Sequence, residues 1–275
     1  MNGKRVRWNR FLHPDSGFGL IVPIDHGLTM GPIPGLRTID ELRSWLAHPG
    51  ITGLIVHKGI AARLAEHKLT PRGGLMLHLT GMTTLGREPH TKQLVTSVDA
   101  ALRYGADAVS LQVNFDGTND VHNLKTLGSV VDDASRYGLP VLTMLYDVVP
   151  PDNAAARIVR LRHLMRAAVE LGSDALKIAA PSDVLELGEI VDGFIDHTAI
   201  FVAGGAVRTE EEIATLADAV ARCGATGLCV GRNVFQHPSP STILDKLSAR
   251  LHGHAPRRTF PMPVPIATRR VVGEG

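Results

Sequence analysis

The sequence predicts a closed (β/α)8 TIM barrel, an α/β fold built as a single domain. Three observations carry that expectation. Short apolar runs of strand length, rich in Val, Ile and Leu and mostly without polar alternation, recur along the chain. Strands buried on both faces of a parallel sheet read this way. Longer stretches with helical spacing separate the runs, and strictly alternating strand–helix units build parallel sheets. Eight such units fall within about 250 residues, the size of a closed barrel. The rival architecture, an open doubly wound sheet, usually shows a GxGxxG after its first strand, and none is present.

Taken in order, the strand runs are residues 19–24, 53–57, 75–79, 108–113, 141–146, 175–178, 199–203 and 227–230. Four helices stand out between them. Residues 38–47 open with Thr38 as N-cap and Glu41 three positions on, the spacing of a capping box. Residues 153–171 close before Gly172. Residues 209–223 place Glu210, Glu211 and Glu212 at the positive end of the helix dipole and stop at Gly224. Residues 239–251 form the last helix. Three internal echoes run from a helix C-cap into a strand: Gly105-Ala106-Asp107-Ala108, Gly172-Ser173-Asp174-Ala175 and Gly224-Ala225-Thr226-Gly227. Generic α/β turn chemistry would also produce them. The barrel is therefore expected over residues 1–253. Residues 254–275, with Pro256, Pro261, Pro263, Pro265 and several arginines, read as an extended Pro/Arg-rich C-terminal tail.

Composition narrows the function classes. Among 275 residues, 29 Lys+Arg stand against 27 Asp+Glu, a net charge of +2. That balance excludes an acidic disordered chain and carries no nucleic-acid footprint. The 44% of hydrophobic residues suffices for a substantial core. Cys223 and Cys229 fit neither a disulfide framework nor a zinc ribbon, and read as buried small apolar residues flanking a strand. No apolar run reaches the ~18 residues of a membrane span. The basic residues 1–5 lead into Val6-Arg7-Trp8 rather than an apolar signal region. The expectation is a cytoplasmic protein with no nucleic-acid or membrane partner.

Barrel enzymes build their sites where the strands end. Here the strands run into Asp25-His26-Gly27, His57-Lys58-Gly59, Thr80-Gly81, Asn114, Tyr146-Asp147, Gly204-Gly205 and Gly231-Arg232, while the sixth carries Lys177. Lysine is almost never buried without a purpose. Desolvation lowers the pKa of an amine and makes it a nucleophile toward carbonyls, so Lys177 is a Schiff-base candidate. A snorkelling lysine or a structural ion pair is the competing reading. Lys58, beside His57 at the start of a helix, is the rival lysine, but a loop position dries it less. It reads as a salt-bridging group or a substrate contact. Asp25 and Tyr146 converge over the barrel mouth and can move protons, with Asp147 as a second acid; a tyrosine at a strand end also serves as rim packing. Gly204-Gly205 and Gly231-Arg232 follow the seventh and eighth strands, where barrels often bind phosphate. Glycine lets backbone N–H groups approach an oxyanion, and arginine adds a bidentate charge. Two tight turns and a surface arginine are the alternative.

These residues resemble a known family. Val22-Pro23-Ile24-Asp25-His26-Gly27, Gly31-Pro32-Ile33, Val56-His57-Lys58-Gly59-Ile60, His78-Leu79-Thr80-Gly81, Gly105-Ala106-Asp107-Ala108-Val109-Ser110, Val202-Ala203-Gly204-Gly205 and, most specifically, Val230-Gly231-Arg232-Asn233-Val234-Phe235-Gln236-His237-Pro238 carry the likeness over roughly residues 18–250. The chain resembles the archaeal-type class I (DeoC/FbaB-like) aldolases, most closely the branch containing 2-amino-3,7-dideoxy-D-threo-hept-6-ulosonate synthase. The resemblance implies that Lys177 forms a Schiff base with a ketose-phosphate donor such as dihydroxyacetone phosphate. It implies Tyr146 and Asp25 as proton-transfer residues and phosphate binding around Gly204, Gly205, Gly231 and Arg232. His26, Lys58 and Asp147 complete the expected substrate contacts. No cofactor or metal is implied, and the family forms ring-based homo-oligomers, often decamers.

The sequence departs from the family at the acceptor side. Asp147-Val148-Val149 follows Tyr146 where the family usually has Pro-Arg-Gly, and Ile178-Ala179-Ala180-Pro181-Ser182 replaces a polar run after Lys177. Met144 stands where the fructose-bisphosphate branch tends to have Trp. The lost basic loop argues against a second phosphate on the substrate. A related branch joins L-aspartate 4-semialdehyde to dihydroxyacetone phosphate, giving 2-amino-4,5-dihydroxy-6-oxo-7-(phosphonooxy)heptanoate on the way to 3-amino-4-hydroxybenzoate, and that reading fits best. Alternatives are a 2-amino-3,7-dideoxy-heptulosonate synthase, a fructose-bisphosphate aldolase, a thiolase-like acyl transferase on a phosphorylated dione, and a non-catalytic phosphosugar-binding barrel. A zinc-dependent aldolase using His26, His57 and His78 is a minority reading, since their spacing forms no compact motif.

Overall fold

Eight parallel strands close on themselves in the computed structural model, which describes residues 2–253. They are β1 (Gly19–Pro23), β2 (Gly53–Val56), β3 (Gly74–His78), β6 (Ala108–Phe115), β7 (Val141–Asp147), β8 (Ala175–Ala179), β9 (Ala199–Ala203) and β10 (Gly227–Cys229). A short antiparallel pair, β4 (Thr80–Gly81) and β5 (Gln93–Leu94), sits apart from the ring. Round the barrel the order is β1-β10-β9-β8-β7-β6-β3-β2, closed by Gly19 of β1 opposite Gly227 of β10. All eight predicted strands form, with ends shifted by at most two residues. The proposed tail, 254–275, lies outside the described residues.

The helices are α1 (Asn2–Asn9), α2 (His26–Met30), α3 (Asp40–Arg43), α4 (Lys58–Glu66), α5 (Val98–Arg103), α6 (Asp120–Tyr137), α7 (Ala154–Glu170), α8 (Leu187–Val191), α9 (Glu210–Cys223), α10 (Arg232–Phe235) and α11 (Pro240–His252). α7, α9 and α11 match expectation, and α9 carries a full capping box between Thr209 and Glu212. The helix expected over 38–47 contracts to α3. The Thr38–Glu41 contacts do form, each at 3.4 Å. Beyond Arg43, however, the chain tightens into turns, with Trp45 N–H on Leu42 O and His48 N–H on Trp45 O. Those turns bury Trp45 and Leu46 ahead of Pro49-Gly50.

The inside of the barrel is a separate apolar core. Ile21, Ile55, Met76, Ala108, Leu142, Ala175, Ala199 and Phe201 point inward, and Trp8 and Phe11 join them from below. Phe11 is fully buried and lies against the first residues of three strands. A Cβ at Gly53 or Gly74 would stand 2.5 Å from its ring, and one at Gly19 would stand 2.7 Å from its carbonyl oxygen. β2 and β3 begin with glycine because the Phe11 ring occupies the space a side chain would need, and β1 because the Phe11 carbonyl and the Phe201 ring do. Trp8 packs on Phe11 and meets Phe201 edge-on, with centroids at 5.8 and 6.1 Å.

The internal echoes have a structural reason at this lower rim. Asp107, just before β6, accepts the N–H of Leu75 in β3 at 3.0 Å. Asp174, just before β8, accepts the N–H of Val141 in β7 at 2.9 Å. Thr226 and Thr52 do the same for Ile200 of β9 and Leu20 of β1, at 2.9 and 2.8 Å. Each side chain satisfies a backbone donor of the adjacent strand where the ladder begins. The two carboxylates also hold the N-terminal segment: Lys4 Nζ lies 2.7 Å from Asp174 Oδ1, and Arg10 pairs with Asp107. Burial pushes the Asp174 carboxyl above its usual range, and Lys4 opposes that shift. Removing the plug should be costly. We expect Phe11→Ala to lower unfolding free energy by about 3–5 kcal/mol in urea titration; a loss below about 1 kcal/mol would mean the floor is packed by other residues.

Candidate active site

Above this floor the inward positions turn polar. Register sets Gln112 of β6 opposite Met144 of β7, Met144 opposite Lys177 of β8, and Asn114 opposite Tyr146. Lys177 is 6% exposed, and its Nζ lies 3.8 Å from Met144 Sδ. Asp25 stands where β1 gives way to α2. Its Oδ1 lies 3.4 Å from His26 Nδ1 and its Oδ2 3.9 Å from His78 Nδ1. Lys177, Tyr146, Asp25, His26, His57, His78 and Lys92 line one cavity of about 180 Å3. Tyr146 is at the rim, 36% exposed.

Lys177 and Asp25 settle as a cation and an anion in one cavity. Burial works to strip Lys177 of its proton, which is the lowered pKa expected from sequence. Cys229, Tyr146 and Asp25 oppose burial and the net direction is upward; with the Cys229 thiol itself protonated near neutrality, the Asp25 carboxylate is the charge that favours the resting ammonium there. Burial likewise works to raise Asp25, but His78, His26, Lys177 and His57 hold it below the ordinary carboxylate range. Burial pushes the Cys229 thiol up to about 11, so it is uncharged near neutrality. Cys229 was expected to flank a strand as filler; it lies within β10, buried inside the barrel, with its thiol against Lys177. His78 is driven down to about 3 by burial, against the pull of Asp25, and donates to or accepts from Ser110 Oγ at 2.9 Å. Burial also lowers His26 and His57.

The remaining predicted residues divide. Gly204, Gly205, Gly231 and Arg232 come together beyond β9 and β10. Arg232 Nη2 donates to Gly205 O at 2.9 Å, and Arg208 Nε donates to Gly204 O at 2.9 Å. A Cβ on Gly204 would meet Asn233 Nδ2 at 2.7 Å, and one on Gly231 would meet Pro23 O at 2.7 Å, so only glycine lets these loops pack. The buried Arg232 Nε has no hydrogen-bond partner among the described residues. Asp147 turns away from Lys177: Arg160 Nε lies 2.6 Å from its Oδ2, and with Tyr146 it lines a separate cavity of about 330 Å3. Lys58 donates to Val95 O at 2.8 Å and lines a neighbouring cavity of about 530 Å3 with Arg37 and Arg63. That cavity touches the site through Asp25 and His57 and does not include Lys177. The His57 and His78 rings lie 5.3 Å apart. Among the described residues, no group of three or more His, Cys, Asp or Glu side chains is arranged to hold a metal ion.

The profile of the DeoC/LacD family aldolases matches residues 19–237. The chain belongs to that family. Over 255 residues it is 33% identical to the 2-amino-4,5-dihydroxy-6-oxo-7-(phosphonooxy)heptanoate synthase of Streptomyces griseus, covering 92% of each chain. It is 34% identical over 259 residues to 2-amino-3,7-dideoxy-D-threo-hept-6-ulosonate synthase 1 of Archaeoglobus fulgidus, covering 92% of this chain and 93% of that one. A solved archaeal fructose-1,6-bisphosphate aldolase, with its catalytic Lys covalently bound to the carbinolamine intermediate, is similar at a TM-score of 0.77. It is 26% identical over 91% of this chain and 100% of that one. This DeoC/LacD aldolase is a carbon–carbon lyase of the class I, Schiff-base type. No helix among the described residues is long and apolar enough to cross a membrane.

One cavity residue of the aldolase escaped the sequence reading. Lys92 is 5% exposed, yet it comes from a loop rather than a barrel strand, and nothing local distinguishes it from a surface lysine. His78 gives a test of how dry the site is. Its folded pKa is about 3 against an ordinary 6.5. Between those values the unfolded chain binds the extra proton, so this contribution to stability is complete above pH 6.5 and is lost as pH falls. The slope is roughly 1.4 kcal/mol per pH unit. Unfolding free energies from urea titration at pH 6.5 and 5 should therefore drop less for His78→Gln than for wild type, by roughly 2 kcal/mol. Equal drops would show that His78 titrates normally.

Proposed function

We propose that this aldolase joins dihydroxyacetone phosphate to L-aspartate 4-semialdehyde through an imine on Lys177. The observation that carries the reading is the buried Lys177 ammonium, lining one cavity with the Asp25 carboxylate and the Tyr146 hydroxyl. Because Lys177 rests protonated, its proton must leave first, and Asp25 is the ionised acceptor in the same cavity. The free amine then adds to the C2 ketone of the donor. The carbinolamine hydroxyl takes that proton back from Asp25 and leaves as water to give the protonated imine, and the regenerated Asp25 carboxylate accepts the C3 proton to give the enamine. The enamine carbon attacks the aldehyde, the new alkoxide takes a proton from Tyr146, Asp25 returns its proton to the Tyr146 oxygen, and water hydrolyses the imine to release product and amine.

The donor phosphate fits beyond β9 and β10. There Arg232 has an unpartnered buried Nε, and Gly205, with open space where a Cβ would stand, leaves room for backbone approach. His26 adjoins that place: its Cε1 is 2.7 Å from where a Gly231 Cβ would stand. The Asp147 carboxylate, paired with Arg160 beside Tyr146, favours an acceptor without a second phosphate. The name of the Streptomyces griseus relative supports the phosphorylated amino-heptanoate product. The name of the Archaeoglobus fulgidus relative supports a second reading, synthesis of 2-amino-3,7-dideoxy-D-threo-hept-6-ulosonate. Products formed with each donor decide between them.

Borohydride added with dihydroxyacetone phosphate should label Lys177, located by peptide mass spectrometry, and Lys177→Ala should abolish both label and turnover. A label on Lys58 would move the imine. Tyr146→Phe should lower kcat by about 10²–10⁴-fold while donor binding, followed by competition with inorganic phosphate, changes little. An equal loss of both would make Tyr146 a packing residue.

A further inference from the structure

We infer that Lys92 is the receptor for an acidic group on the acceptor aldehyde, so that the second substrate is selected as a carboxylate-bearing aldehyde. The inference rests on the imine chemistry proposed for Lys177 and adds the residue that selects the acceptor by its carboxylate.

Lys92 is 5% exposed and lines the cavity that holds Lys177 and Asp25. Among the described residues, no hydrogen bond or ion pair ends on its Nζ. Burial lowers its pKa and the Asp25 charge opposes that shift. Asp25 faces His26 at 3.4 Å and His78 at 3.9 Å, and it acts on both Lys177 and Lys92 through its charge rather than through an ion pair. Two buried amines therefore share one carboxylate, and a buried charge without a partner is costly. An anionic group entering with substrate would supply the partner.

The loop that carries Lys92 is built to hold it there. The Asn114 side chain, at the end of β6, donates to His90 O at 2.7 Å, and His122 Nε2 lies 3.0 Å from Lys92 O. The next residue, Gln93, pairs with Gly81 just beyond β3. Lys92 thus stands over the β3–β6 side of the mouth. In the strand order, β6 lies half-way round from β10, and β3 half-way round from β9. The proposed phosphate site beyond β9 and β10 is therefore across the mouth from Lys92. In dihydroxyacetone phosphate the phosphate is on C1, the imine forms at C2, and the new bond forms at C3. A donor anchored by its phosphate presents C3, and the incoming aldehyde, toward the Lys92 side. The free cation is found where the acceptor must lie.

The test compares two acceptors, L-aspartate 4-semialdehyde and uncharged propanal, with wild type, Lys92→Met and Lys92→Arg. Wild type should prefer the carboxylated aldehyde in kcat/KM. Lys92→Met should raise its KM at least tenfold, the loss expected for one charge-assisted hydrogen bond, with a shift below about threefold for propanal. Lys92→Arg, which keeps the cation, should retain most of the preference. If both acceptors shift alike, or kcat falls for both at constant KM, Lys92 serves proton transfer or packing and the inference fails. Should Lys92→Met not fold, the wild-type preference and the Lys92→Arg values decide. A trapped imine in wild type with no preference between the aldehydes overturns this inference alone. Absence of any trapped imine overturns the Lys177 chemistry as well.

Discussion

Phe11 fills the space that Gly19, Gly53 and Gly74 leave beneath the first three strands, and with Trp8 and Phe201 it closes the barrel from below. A sealed floor is what makes the layer above it electrostatically demanding. With no water to reach Lys177 from beneath, the ammonium depends on the groups around it, and charges at low effective dielectric act strongly on one another. The same packing fixes register, because strands that begin with glycine against one ring cannot slide without clashing with it.

The site then follows from a shortage of negative charge. Asp25 is ionised, Cys229 is held as a thiol by burial, and His26, His57 and His78 are shifted toward neutral rings. One carboxylate serves two buried amines. Taking up a proton from Lys177 would leave Asp25 neutral and the amine free, while incoming anions offset the charge that remains. On the proposed reading, binding and activation are thereby coupled, since the substrates bring negative charge at both ends.

Much of this was legible in the sequence, and the failures have physical causes. The eight strands could be read because burial on both faces leaves unbroken Val, Ile and Leu runs, such as 199–203. Asp25, Tyr146 and Lys177 could be placed because strand ends converge in a barrel. The plug was not legible: α1 precedes the first strand, and Trp8 and Phe11 lie among basic residues with no repeat to announce them. Nor was Lys92, whose burial comes from backbone contacts of a loop to β3 and β6. The direction of the Lys177 shift was misjudged because desolvation belongs to the residue alone, whereas Asp25, Tyr146 and Cys229 arrive from other strands.

The closure of β1 on β10 joins residues about two hundred positions apart, and Trp8 meets Phe201 across a similar span. The stopper is thus synthesised about two hundred residues before its socket is complete. Throughout that interval two large aromatic rings have no native place to go, a situation that invites off-pathway association. The cations at positions 4, 5, 7 and 10 interleave those rings. Charge so placed favours solvation of an unpacked segment, and two of these cations, Lys4 and Arg10, become the clasps to Asp174 and Asp107.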